Sequence, residues 1–237
     1  ASYNGLTVGL DKRFSSGFSY HVAYTWSKAL DTGTDISSDP IKQPGDAHSY
    51  RSLAAIDTGH RFVASYMYEL PFGKGKRFLG NAQGVANAIV GGWQVNGITT
   101  FSLGVPFGVT VDSTIPDVDA RAVFANRTCD GQLPRDQRTR LRYFDTTCFS
   151  IPTPGTFGNS ARTLWHGPGV NNWDVSFFKQ FPLWSEGRYL QFRGEFFNFF
   201  NHTQFGNPTS SLPNGAFGQI LSAKASRTIQ FALRFAF

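Results

Sequence analysis

Seven times along the chain, apolar and polar residues alternate with a period of two, the spacing that puts side chains on opposite faces of a β-strand. Leu6, Val8 and Leu10 alternate with Thr7, Gly9 and Asp11. Phe18, Tyr20, Val22, Tyr24 and Trp26 alternate with Ser19, His21, Ala23, Thr25 and Ser27. Phe62, Ala64, Tyr66, Tyr68 and Leu70 form a third set, and Trp93, Val95, Thr99 and Phe101 a fourth. Trp173, Val175 and Phe177 face away from Asp174 and Ser176, and Leu190, Phe192 and Phe196 from Gln191, Arg193 and Glu195. Ile229, Phe231, Leu233, Phe235 and Phe237 face away from Thr228, Gln230, Ala232, Arg234 and Ala236. Strands of soluble proteins usually run ~5–6 residues. These runs approach the ~9–11 residues with which a tilted strand crosses a bilayer.

The connections are asymmetric. Ser15-Ser16-Gly17 and Trp184-Ser185-Glu186-Gly187 read as tight hairpin turns. Segments 28–59, 105–171 and 200–226 are long and rich in Gly, Pro, Asp, Ser and Thr. Because strand direction alternates, short turns fall at one end and long loops at the other. Connection 71–90 breaks the pattern: it is long, lies on the turn side, and Gln83 to Val90 suits a short helix. The expected fold is all-β, an antiparallel up-and-down meander of about seven long strands. Short periplasmic turns and long extracellular loops are the pattern of an outer-membrane barrel, which places the chain in the bacterial outer membrane. Trp26, Tyr68, Trp93 and Trp173 near strand ends suit an interfacial aromatic girdle. No run of ~18 apolar residues marks a membrane helix. The mean hydropathy of -0.24 does not oppose a barrel, because alternation cancels in any average.

Composition narrows the alternatives. Charged residues make up 16% and aromatics 16%, with 24 Phe, which excludes a disordered charged tail and a coiled coil. The net charge of +6 sits in loop clusters, Lys74-Lys76-Arg77 and Arg121 to Arg142, with no nucleic-acid-binding motif beside them. Cys129 and Cys148 are either a disulfide formed in an oxidising compartment, worth ~3 kcal/mol by loop closure, or two buried thiols. Arg127, just before the pair, and the intervening Asp130, Arg135, Asp136, Arg138, Arg140 and Arg142 suggest a solvated loop with few apolar contacts, which favours the disulfide.

Chemistry-bearing patterns are sparse. The chain has no G-x-S-x-G, H-E-x-x-H or P-loop, and Gly73-Lys-Gly-Lys76 lacks the spacing of a phosphate cradle. His21, His48, His60, His166 and His202 are scattered without metal-ligand spacing. No enzyme activity, cofactor or metal is expected. Glu69, Asp174, Arg193, Glu195 and Arg234 fall on polar strand faces. They form either a lumen-side network that satisfies itself and water, or a surface for a plug or substrate path. Phe149, Phe157, Asn159, Arg162 and Trp165 lie in the longest loop, where they either pack it down or contact a sugar or peptide.

Several stretches carry a family resemblance. Arg227 to Phe237 ends on an aromatic in alternating register and resembles the C-terminal strand that the barrel-assembly machinery reads, with Phe231, Leu233, Phe235 and Phe237 as the signal. Phe192-Arg-Gly-Glu-Phe-Phe-Asn-Phe-Phe-Asn201 resembles the penultimate strand of TonB-dependent transporters. His60 to Gly73, Gly91 to Thr100 and Pro168 to Phe177, with Tyr3-Asn-Gly-Leu and Tyr24-Thr-Trp-Ser-Lys28, resemble the Oar-like branch of that family, whose members often begin with a carboxypeptidase-regulatory-like domain. The resemblance spans nearly all of residues 1–237. It implies the C-terminal third of a barrel of about 22 strands, surrounding a plug. It also implies coupling to TonB through an N-terminal part that this sequence lacks. Its implied ligand is an oligosaccharide, peptide or chelate, and its surroundings are outer-membrane lipid.

Two rival classes stand beside transport. One is a surface-anchored structural or adhesive protein whose barrel only holds its loops; the other is a soluble β-sheet binding module. The chain begins at Ala1 without a leader pattern, so a piece of something longer is expected. Seven strands leave an open sheet with unpaired edges at 3–14 and 227–237.

Overall fold

The computed structural model describes residues 1–33, 50–111, 124–183 and 188–237. His48, Arg121 and the turn residues Trp184, Ser185, Glu186 and Gly187 lie outside the described residues. Seven long strands follow one another: β1 (Ser2–Ser15), β2 (Phe18–Asp31), β3 (His60–Glu69), β4 (Trp93–Ser102), β5 (Val170–Pro182), β6 (Tyr189–Phe197) and β7 (Thr228–Ala236). They pair in that order, every neighbour antiparallel. A two-residue strand, Ser52–Leu53, adds to the end of β2. β1 and β7 do not pair with each other, so the sheet is open and each keeps one free edge. Among the described residues no helix is long and apolar enough to cross a membrane.

The register brings all seven alternations into phase. Across β2 to β7, one row of partners reads Phe18, Tyr68, Val95, Phe177, Gly194 and Phe231. The next row reads Ser19, Met67, Asn96, Ser176, Glu195 and Gln230. A slip of one residue at any pair would send that strand's rings to the polar side. Rings meet across strands on the apolar face: Phe62 and Phe101 stack at 5.8 Å, and Phe192 and Phe231 at 6.0 Å. Gly97 supplies the space into which Tyr66 leans; a Cβ there would collide with the Tyr66 ring. Toward the sheet's edges this face is open: Leu6 and Val8 of β1 and Phe231 and Leu233 of β7 are all more than half exposed, while Phe199 and Phe200 pack on Phe177 and Trp173 nearer its middle.

Two kinds of connection separate the ends. β1 and β2 join through Ser16 (φ 54°) and Gly17 (φ 78°), the two left-handed residues of a tight hairpin turn that matches strand twist. Leu183 N–H donates to the Arg188 carbonyl at 3.0 Å and closes the β5–β6 connection. The β3–β4 connection carries helix α1 (Gly84–Val90), none of whose residues is buried.

At the opposite end, the described parts of the three long loops fold together into a crown. Its core comprises Phe107, Val109, Val111, Ala125, Phe144, Cys148, Phe149 and Trp165. Phe144 and Val109 are the largest fully buried side chains among the described residues, and both lie in the crown rather than the sheet. Phe217 comes in from the β6–β7 loop, 5.1 Å from Phe144 edge to face. This corrects the expectation of a solvated loop with few apolar contacts between Cys129 and Cys148. Leu133 and Phe144 from that segment are buried, while Asp130, Arg135, Asp136, Arg140 and Arg142 stay exposed. The charges coat a small hydrophobic core instead of marking the lack of one.

Candidate functional site

The molecule offers two surfaces to a ligand or partner: the polar face of the sheet and the crown.

On the polar face, alternation alone positions the charges. Glu69, the last residue of β3, pairs with Lys76 at 3.2 Å, both partly exposed, an arrangement worth ~0–1 kcal/mol. Asp174 Oδ1 accepts the Asn198 N–H at 2.9 Å and fixes the start of the β6–β7 loop. Arg193 donates from Nε to Gln191 Oε1 at 2.7 Å, and its guanidinium lies 4.9 Å from the Phe178 ring centre. Glu195 stands opposite Ser176 and Gln230, and Arg234 opposite Gln191. Among the described residues neither Glu195 nor Arg234 forms an ion pair, so the five charges make short local contacts rather than one network. Near the turn end a cavity of about 550 Å³ is lined by Glu69, Lys76, Arg188 and three glutamines, and by Leu70, Trp93, Phe178 and Tyr189 among its apolar residues. Mixed charge and amide groups of this kind hold water or a polar partner. Among the described residues no cluster of three or more His, Cys, Asp and Glu could hold a metal ion.

The crown is built by contacts between loops. Asp57, its side chain 1% exposed, accepts from the Ala29 N–H at 2.6 Å and meets His166 Nε2 at 2.8 Å. Arg162 pairs with Asp31, the last residue of β2, and the Thr163 hydroxyl donates to the Leu53 carbonyl. Thr110–Val111 form a parallel ladder with Ser211–Leu212, and the Tyr143 N–H donates to the Gly218 carbonyl at 2.9 Å. Cys129 and Cys148 are joined by a disulfide. Asp145 accepts from the Thr147 N–H and hydroxyl, turning the chain so that Cys148 points into the core. These bonds from Thr147, with help from Arg142, hold the Asp145 carboxyl below its usual range. Burial raises the Tyr143 hydroxyl above its usual range, opposed by the adjacent Arg138 charge.

Of the two roles weighed for the longest loop, packing it down or contacting a ligand, the contacts of its residues supply the first. Phe149 and Trp165 are 7% and 8% exposed and belong to the crown core. Arg162 is committed to Asp31. Asn159 is exposed, but its amide brackets the Arg127 backbone, accepting the N–H at 2.6 Å and donating to the carbonyl at 3.2 Å. Phe157 is half-buried, and its carbonyl accepts the Phe124 N–H. A loop of this length on top of a sheet must bury its own rings, and these residues do that work. Asp31, Asp57, Phe107, Phe144 and Phe217 are the crown-forming residues that sequence reading missed. The one available signal was the density of aromatics in segments without periodicity. Phe231, Leu233 and Phe235 lie on the exposed apolar face of β7, and Phe237 follows its last residue at 94% exposure.

The in-phase apolar face and the one-sided loops agree with a comparison of protein families. Residues 1–230 match the model of a family described as an outer membrane beta barrel domain. Among curated proteins nothing matches. The chain belongs to the outer membrane beta barrel domain family, and its place is the bacterial outer membrane.

Proposed function

We propose that the chain is the C-terminal barrel segment of an Oar-like TonB-dependent transporter, contributing wall and extracellular loops to the uptake of a ligand. The observation that carries this reading is the polar face, with a cavity at the turn end lined in part by charged and amide groups, and with Glu195 and Arg234 forming no ion pair among the described residues. A wall that lines a plug or a ligand path keeps groups such as Glu195 and Arg234 for that partner. The stretches from His60 to Gly73, Gly91 to Thr100 and Pro168 to Phe177 supply the family-level support. In this reading the sheet continues into a barrel of about 22 strands, with the plug inside. Ligand binds from the crown side, and TonB acts through the N-terminal part. Barrel-assembly machinery reads β7. The reading assigns no catalysis.

A surface-anchored adhesive protein is the second reading, and the crown favours it. A loop assembly with its own core and disulfide can present a rigid surface without any transport. Cells carrying or lacking the gene separate the two when incubated with a mixture of oligosaccharides, peptides and iron chelates. Transport predicts that one component disappears faster with the gene, and only when TonB is intact. Retained surface binding with no TonB-dependent depletion would support adhesion and overturn transport.

A further inference from the structure

The β3–β4 connection, residues 71–92, is the one turn-end connection that is long, and its surface is unusual. Phe72, Phe78 and Leu79 are 39%, 47% and 60% exposed, and Val85 and Ile89 of α1 are 76% and 64% exposed. The segment contains Lys74, Lys76 and Arg77 and no Asp or Glu. It is nonetheless well built. The Gly73 N–H donates to the Phe78 carbonyl and the Phe78 N–H to the Pro71 carbonyl. The Phe72 and Phe78 rings lie 5.5 Å apart, and the Lys74 N–H donates to Asn87 Oδ1 at 2.7 Å.

Two side chains tell which side of the sheet receives α1. Trp93 and Lys179 are register partners on the apolar face. Trp93 Nε1 donates to the Ile89 carbonyl at 2.9 Å, and Lys179 Nζ donates to the Ile89 carbonyl at 3.3 Å and to the Gly91 carbonyl. Lys179 is 3% exposed, with its ammonium 5.1 Å from the Trp93 ring centre. A lysine on an apolar, bilayer-facing surface needs such a partner, and the free carbonyls at a helix C-terminus are a fitting one. The end of α1 is thereby held on the lipid side of the wall, at its rim. Trp93 also lines an apolar groove of about 380 Å³ with Leu70, Phe177, Phe192 and Phe231, so the connection joins the bilayer-facing surface without a break.

We propose that the 71–92 connection is an interfacial anchor lying on the periplasmic leaflet, with Val85 and Ile89 at the headgroup–acyl boundary and Lys74 and Arg77 against lipid phosphates. Exposed apolar side chains beside unopposed basic ones are what such a boundary recognises. Lys76 is turned the other way, to Glu69 on the polar face, so the connection straddles the rim. This inference rests on the reading of the apolar face as the lipid-facing one.

The test uses the intact protein in nanodiscs of phosphatidylethanolamine and phosphatidylglycerol. Single variants Val85→Cys and Ile89→Cys carry an environment-sensitive fluorophore; the native cysteines are bonded and do not label. Leu233→Cys reports on the wall and Thr153→Cys on the exposed crown. Nitroxide on the upper acyl chain of the lipid is expected to quench the Val85 and Ile89 probes by half or more. Iodide in the water should quench them far less than the Thr153 probe. Quenching of Leu233 by lipid, with Val85 and Ile89 open to iodide or shielded from both agents, would overturn the anchor alone. Failure of lipid to quench Leu233 would overturn the membrane-facing wall as well. Val85 and Ile89 are exposed and read the same boundary independently, so either variant suffices if the other fails to fold.

Discussion

Phe144 and Phe231 are the same side chain in opposite circumstances, 1% exposed in the crown and 66% exposed on the wall. The crown hides its rings from solvent as a small water-soluble domain does. The wall turns an entire face of rings outward. One chain therefore carries two solutions to the hydrophobic effect. Where the surrounding medium is water, apolar groups gather inward; where it is hydrocarbon, the polar groups must instead find partners among themselves. The ladder satisfies the backbone of β2 to β6 on both sides in that second medium and leaves one edge each of β1 and β7 free, and the crown needs the disulfide and the buried carboxylates that the wall does without.

The largest expected effect falls on the crown core. Phe144→Ala removes a ring that touches Phe149, Trp165, Phe107 and Phe217. It should cost about 3–5 kcal/mol of crown stability. Limited proteolysis should then cut within 124–169 while strands β1 to β7 stay protected as in the wild type. Loss of strand protection along with the crown would mean that the two regions form one cooperative unit.

Reduction of Cys129–Cys148 comes next, at about 3 kcal/mol for a loop of this length. Because Cys148 is 2% exposed among core rings, the effect should reach the whole crown rather than the enclosed segment alone. Hydrogen exchange with and without reductant checks this: protection should fall at Val109 and Phe217 as well as at Leu133, and stay unchanged in β5 and β6.

Asp57→Asn should cost about 1.5–3 kcal/mol, the range for hydrogen bonds to a charged group. It removes the charge shared by the Ala29 N–H and His166. Faster exchange at Ala29 and at His166, the latter 109 residues from Asp57 in sequence, would show that the first and second long loops are clamped through this residue.

Much of the wall was legible in the sequence. The alternation from Phe18 to Trp26 named both the strand and its apolar face, because a period of two survives whatever the neighbours are. The short helix expected at Gln83 to Val90 is α1, one residue shorter. The crown was not legible. Its core draws Phe107, Phe144, Trp165 and Phe217 from segments without a period. Its clamp between Arg162 and Asp31 joins side chains 131 residues apart. Nothing local to Phe149 or Arg162 distinguishes a ring that packs a loop from one that meets a ligand; only the partners decide that.

The smallest expected effect is a pH dependence at Asp145. Its lowered pKa means that the folded crown favours the carboxylate. The contribution is present above the ordinary carboxylate value of 3.8 and fades as pH falls through the lowered one. Proteolysis of the crown should rise slightly as the pH is taken down through that range, and Asp145→Asn should remove the change while leaving the wall untouched.

The division between two media is tested most directly by two neighbouring residues of β7. Phe231 lies in the apolar row and Gln230 in the polar one. Insertion yield of the intact protein into lipid bilayers is measured for Phe231→Arg and Gln230→Arg. An arginine on the lipid face near midplane costs about 2–4 kcal/mol, so Phe231→Arg should cut insertion severely while Gln230→Arg inserts like the wild type. Equal yields for the two variants, or a greater loss for Gln230→Arg, would contradict the assignment of the faces.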